Sequence, residues 1–145
     1  MKASDYPYLD KKNSNCFYSS LKADKAKVVS RASWKPSDNL SVVQIVQRLE
    51  SGGPFVTYVD GFTTMFMGYK TGILNNPCCF GGRVNHGVVT VGYGITGNFN
   101  GYWIIRNHWG TSWGDAGYMR LSMVNGGPGI CGNQLYGDQL TMMGY

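Results

Sequence analysis

The chain has 145 residues, 43% of them apolar, with 21 glycines and a formal net charge of +5. That is enough apolar chain for one domain with its own core, and so many glycines point to frequent turns and an all-β or α+β class. No run approaches the ~20 consecutive apolar residues of a membrane-spanning helix. Met1-Lys2-Ala3-Ser4-Asp5 leads into no apolar segment of the kind a signal peptide carries. The excess charge sits in residues 1–35, where eight Lys and Arg face three Asp, while the remaining residues hold five of each sign. This basic stretch reads as a solvated face rather than a nucleic-acid surface. The four cysteines, Cys16, Cys78, Cys79 and Cys131, contain no C-x-x-C, and there are only two histidines. No metal or other cofactor is expected, and disulfides formed in an oxidising compartment are the simpler use of these thiols.

In chain order, Tyr6-Pro7-Tyr8 is an extended aromatic segment, because Pro7 pushes Tyr6 away from helical geometry. Residues 37–51 read as the main helix, capped by Ser37 or Asp38 and carrying Leu40, Val43, Val46 and Leu49 at helical spacing. Gly52-Gly53-Pro54 stops it. Asn39-Leu40-Ser41 is a glycosylation sequon at that helix start. Phe55 to Val59 reads as a strand, and the segment Phe62 to Tyr69, with Met65, Phe66 and Met67, reads as core. Gly72-Ile73-Leu74 leads into a turn at Asn75-Asn76-Pro77-Cys78-Cys79.

His86 then opens an apolar run, and Asn107 ends the next. Val88 to Val91 and Tyr102 to Ile105 are β-branched or aromatic and bounded by glycines, so each reads as a strand. Placed antiparallel, they bring the imidazole of His86 near the amide of Asn107, a general base with an orienting group that lacks only a nucleophile. Gly92-Tyr93-Gly94-Ile95-Thr96-Gly97 fits the dinucleotide pattern G-x-G-x-x-G. A phosphate cradle needs a helix start immediately afterwards, and Asn98-Phe99-Asn100-Gly101 is another turn, so nucleotide binding is rejected and the glycines are assigned to tight bends. Tyr118 to Leu121 is read as the last strand, ahead of Gly126-Gly127-Pro128-Gly129-Ile130-Cys131-Gly132.

Asn85-His86-Gly87-Val88, then Gly92-Tyr93-Gly94, then Tyr102-Trp103-Ile104-Ile105-Arg106-Asn107-x-Trp109-Gly110-Thr111-x-Trp113-Gly114, then Gly117-Tyr118 resembles the histidine and asparagine regions of papain-family cysteine peptidases of the cathepsin L type. Tyr6-Pro7-Tyr8 resembles the segment between the family's two domains. The resemblance implies an α+β fold, the papain-like right domain with an antiparallel, β-barrel-type sheet and one main helix near residues 38–51. Residues 1–20 would be the interdomain segment and residues 21–145 the β-rich C-terminal domain. By resemblance, His86 is the imidazole that pairs with a thiolate and Asn107 sets its orientation. Trp109 shields that hydrogen bond, and Trp113 walls the leaving-group side. Tyr58, Val84, Asn85 and Tyr136 would line the principal substrate pocket, with Tyr58 and Tyr136 as bulky phenols where the family's pocket receives a side chain. His108 replaces a serine usual in the family. Cys131 would bridge to Cys79 or Cys78, whereas the family's partner for Cys16 lies earlier than this chain begins.

Met1 stands where the family is mid-chain, so the helix bearing the nucleophile in a Cys-Gly-Ser-Cys-Trp setting is not expected here. Two readings follow. The chain is the C-terminal portion of a papain-like endopeptidase, inactive alone, or a truncated relative acting as a binding or structural subunit. Either way, a protein partner or self-association is expected to cover the face near His86 and Trp113, and the family resemblance implies a lysosomal or secreted protein.

Overall fold

A computed structural model describes residues 28–76, 83–96 and 101–142. Among these residues seven strands form one sheet: β1 (Val28–Trp34), β2 (Phe55–Val59), β3 (Ile73–Leu74), β4 (His86–Ile95), β5 (Gly101–Arg106), β6 (Tyr118–Ser122) and β7 (Gly137–Met142). Their order is β1-β7-β2-β4-β5-β6-β3, antiparallel except where β3 runs parallel to β6. One helix of three turns, α1 (Val42–Gly52), and a single-turn helix, α2 (Thr64–Met67), complete the α+β architecture.

The helix begins later than residues 37–51 suggest. Ser41, not Ser37 or Asp38, is the cap: its Oγ accepts from Gln44 N at 3.3 Å, while Gln44 Oε1 accepts from Ser41 N at 2.8 Å. This reciprocal pair satisfies two otherwise orphaned amides. Asn39 sits in the left-handed region (φ 45°) and breaks the helical path, leaving Pro36–Asp38 as a separate 3₁₀ turn. The inward stripe shifts accordingly. Ile45 and Leu49 are buried with Val42 and Val46 packed beside them, and Val43 faces solvent.

Three strands escaped the sequence reading, the two-residue β3 and the longer β1 and β7, so Tyr118–Ser122 is not the last. β1 is an edge strand whose residues are mostly exposed until Trp34, so it lacks apolar alternation. In β7 the inward position belongs to Gln139, whose Nε2 donates to the carbonyls of Arg48 (2.9 Å) and Gly53 (2.7 Å) at the end of α1. A buried glutamine that caps a helix looks like a surface residue in sequence. The segment Phe62 to Tyr69 is core only in part: Phe66 and Tyr69 are buried, while Phe62, Met65 and Met67 are exposed. A single helical turn can turn only one of these faces inward.

The core lies on one side of the sheet, with Phe55, Thr57 and Val59 of β2 meeting Val88 and Thr90 of β4 and Trp103 and Ile105 of β5. The opposite face carries Val56, Tyr58, Gly87 and Val89, alternating along the same strands. Gly92 and Gly94 are strand residues rather than bends. The ladder shifts register between Thr90 and Gly92, and a Cβ at Gly94 would run into the Tyr102 ring. Residues 97–100 lie outside the described ones.

Candidate active site

The β2–β4 junction places His86. Val59 and His86 are paired in the ladder, and Asn85 ties the strand ends together. Asn85 N donates to Val59 O (2.9 Å), its Oδ1 accepts from Gly61 N (2.9 Å), and its Nδ2 donates to Asp60 Oδ1 (2.7 Å). Gly61 is required beneath the imidazole, since a Cβ there would lie 2.7 Å from His86 Cβ. Asn107 follows the last residue of β5 and is held by its own N–H donating to Gly117 O at 3.0 Å.

Across 21 residues of sequence the two side chains meet, with His86 Nε2 and Asn107 Oδ1 3.0 Å apart. The same Oδ1 accepts from His108 N at 2.9 Å. An oxygen facing a backbone donor fixes which way the amide points, and so requires Nε2 to carry the proton that it shares with Oδ1. Nδ1 is then the ring nitrogen not engaged by Asn107. Asn107 is buried, and its Nδ2 finds no acceptor among the described residues.

Aromatic rings enclose the imidazole. Trp109 lies 4.7 Å from it at an interplanar angle of 34°, and His108 lies 4.9 Å away at 36°. Phe66 meets His86 edge-on at 5.9 Å and Trp109 at 5.7 Å. Trp113 packs on Trp109, Phe66 and Tyr69, and its indole N–H donates to Met67 O at 3.1 Å. Trp109 is thus brought against His86 and Trp113 against Trp109, with the buried Phe66 behind them. Phe66 was legible only as generic core.

The pocket residues separate. On the open face, a cleft of about 360 Å³ is lined by Val56, Gly87, Val88, Val89, Arg106, Asn107 and His108. Tyr58 on β2 and Tyr136, just ahead of β7, meet with their rings edge-to-face at 6.4 Å. The Tyr58 hydroxyl donates to Asp138 Oδ2 at 2.9 Å, and Asp138 Oδ1 accepts from Arg31 Nε (3.0 Å) and Nη2 (2.6 Å). Arg31's hydrogen bonds hold the Asp138 carboxyl below the usual carboxylate range, against a smaller opposing effect of burial. The Asp138 carboxylate in turn raises the Tyr58 phenol. Neither Arg31 nor Asp138 was singled out in sequence, because each is an isolated charge until β1, β7 and β2 lie side by side. Val84 is half-buried and Asn85 is occupied by the strand junction.

Cys131 is fully buried and disulfide-bonded, whereas Cys16, Cys78 and Cys79 lie outside the described residues, as does the Tyr6-Pro7-Tyr8 segment. Among the described residues no three His, Cys, Asp or Glu side chains gather to hold a metal ion, and no helix is long and apolar enough to cross a membrane.

Residues 1–137 match the family described as papain family cysteine protease. Silicatein from Petrosia ficiformis is 31% identical over 140 residues, covering 96% of this chain and 39% of that protein. Cathepsin R from Mus musculus is 36% identical over 81% of this chain and 34% of its own length. The solved structure of bromelain from Ananas comosus in complex with the E64 inhibitor superposes with a TM-score of 0.79 at 30% identity, covering 96% of this chain and 61% of that one. The chain thus spans between about a third and two-fifths of these two curated relatives.

Proposed function

Because the chain belongs to the papain family of cysteine proteases, we propose that it supplies the imidazole and the orienting carboxamide of a Cys-His-Asn site for peptide-bond hydrolysis, while the nucleophilic thiolate comes from outside these residues. The observation that carries this is the 3.0 Å contact between His86 Nε2 and Asn107 Oδ1. It leaves Nδ1 to face a sulfur, where an imidazolium lowers the thiol pKa and keeps the thiolate reactive. The same nitrogen then delivers its proton to the leaving amine. Trp109 excludes water from the Asn107 bond, and Trp113 borders the leaving-group side. Cys131, bridged in this reading to Cys79 or Cys78, has no free thiol to attack with. Neither Cys16 nor the remaining cysteine of that pair stands in the Cys-Gly-Ser-Cys-Trp setting of the family's nucleophile, so the chain is inactive by itself in this reading. Likeness to cathepsin R and to fruit bromelain is in keeping with the lysosomal or secreted setting that the family resemblance implies.

The arrangement also calls for a cover. Phe62, Met65 and Met67 are exposed beside the aromatic wall, as are Val56 and Leu140 on the sheet and Tyr136 just ahead of β7. Apolar groups gathered in this way favour a partner. A monodisperse monomer in sedimentation at high concentration would count against that expectation. The second reading, a catalytically silent binding or structural subunit, draws on the disulfide-bonded state of Cys131. The two are separated by combining the chain with a papain-like thiol-bearing domain. Thiol-dependent peptide hydrolysis that disappears in His86→Ala supports the peptidase. No hydrolysis, despite complex formation, supports the silent subunit. Labelling of the chain alone by a cysteine-directed epoxide would refute the claim that it carries no nucleophile.

A further inference from the structure

The cleft beside His86 and Asn107 has an opening that depends on where one ring stands. Its floor is Gly87, where an added Cβ would meet nothing within 4 Å. Tyr58 is paired with Gly87 in the β2–β4 ladder, so its side chain rises from the same face of the sheet directly beside that open floor. Yet Tyr58 is absent from the cleft's lining. In the sheet order β7-β2-β4, β2 has Asp138 and Tyr136 on one side and Gly87 on the other. The Tyr58 phenol leans to the β7 side, where its hydroxyl donates a hydrogen bond to Asp138 Oδ2 at 2.9 Å and the Tyr136 ring meets it edge-on. Asp138 is fixed in turn by the two Arg31 nitrogens at 3.0 and 2.6 Å.

We propose that Arg31 and Asp138 form a strut that holds the Tyr58 ring off the Gly87 cleft, making Tyr58 a gate to the surface next to the catalytic imidazole and Asp138 its positioning residue. Resting on the reading of that surface as the seat of a peptide substrate, the inference adds which groups decide whether a bulky apolar side chain is admitted. With the strut intact, the cleft receives such a side chain over Gly87 and against Val56 and Val89. With it broken, the ring is free to rotate about Cα–Cβ and to lie over the one position in the strand pair that has no side chain of its own. The carboxylate suits this task in acidic surroundings, since Arg31 keeps Asp138 ionised below the pH at which an ordinary aspartate protonates. The other charge at the cleft, Arg106, stands on β5, across β4 from Tyr58. The rings facing the cleft and its neighbour are those of His108 and Tyr136.

The test compares Tyr58→Phe, which keeps the ring and removes the hydroxyl, with Asp138→Ala and Tyr58→Ala, all in the full chain. Two-dimensional NMR without ligand reads the gate itself. Ring-to-Gly87 Hα cross-peaks and a ring-current shift of the Gly87 amide are expected in Tyr58→Phe and Asp138→Ala but not in the unaltered chain. Gly87 resonances unchanged in both variants overturn the gate. N-acetyl-leucine amide then serves as the peptide-like probe. Its binding, followed at Gly87, should weaken several-fold in Tyr58→Phe and recover in Tyr58→Ala, where no ring remains to intrude. A purely structural role for Tyr58 predicts the reverse, with the larger deletion doing more harm, and overturns the proposal. Failure of the probe to bind the unaltered chain counts against the peptidase reading, while the ligand-free spectra still decide the gate.

Discussion

Two polar side chains on the central strands are held still by opposite means. At the β4–β5 end, His86 is fixed by one hydrogen bond and a wall of rings, from Trp109, Phe66 and His108. At the β2–β7 side, Tyr58 is fixed by a charge relay to solvent-facing Arg31, whose side chain is 64% exposed. The first arrangement depends on volume and dryness, the second on ionisation. A packed wall resists loss of atoms poorly and is indifferent to salt, whereas an ion pair with one exposed partner contributes little to stability and yields to salt. What the contrast teaches is a division of labour under the proposed reading: the imidazole is placed by packing that stays fixed, and access to it would be set by a contact weak enough to change.

The largest effect expected is from Phe66→Ala. Phe66 is fully buried against His86, Trp109 and Trp113, and its loss should cost about 3–5 kcal/mol in denaturant unfolding, by transfer and cavity terms together. A loss below ~1 kcal/mol would mean the wall closes around the gap and does not depend on volume. Gly61→Ala comes next, at about 1–3 kcal/mol, because the new methyl overlaps the base of the imidazole. Its signature is a displaced His86 ring in NMR with the fold retained, and an unmoved ring would deny Gly61 its positioning role.

Ser41→Ala should cost about 1 kcal/mol, a helix cap remote from both regions and so a control for general fragility. Ala116→Asn should raise the unfolding free energy by up to ~1 kcal/mol, since Ala116 sits at φ 52° in a region where asparagine is tolerated better. The smallest effect belongs to the relay. Asp138 is held below its ordinary value, so its contribution to stability is complete above that value and is lost as pH falls through the lower folded value. Unfolding midpoints of the parent and Asp138→Asn should therefore keep a constant difference between about pH 7 and 5 and converge only in stronger acid. Convergence already near pH 5 would show that Arg31 does not hold the carboxylate.

Much of the active-site end was legible in sequence, for a physical reason. Val88 to Val91 and Tyr102 to Ile105 are dense β-formers, and the chemistry sits at their ends, so an antiparallel placement alone brings His86 to Asn107. The paired tryptophans follow within six residues of that asparagine and have little choice but to pack nearby. The helix was legible as an element but not at its start, because Ser37, Asp38 and Ser41 are all competent caps. The left-handed turn at Asn39 selected the last of them. β1 and β7 were invisible because one is a solvent-facing edge and the other buries a glutamine for the sake of a helix end.

By itself, then, the sequence determined the kin of this protein and its α+β class and pointed to His86 and Asn107 as neighbours, all of which rest on local pattern and chain order. Only the tertiary structure decided that Phe66 backs the imidazole and that Tyr58 turns away from Gly87 toward Asp138. It alone made Arg31 and Asp138 partners across 107 residues. Such contacts depend on which strands become neighbours, and neighbouring strands far apart in the chain are chosen by the burial of the whole sheet rather than by any stretch of it.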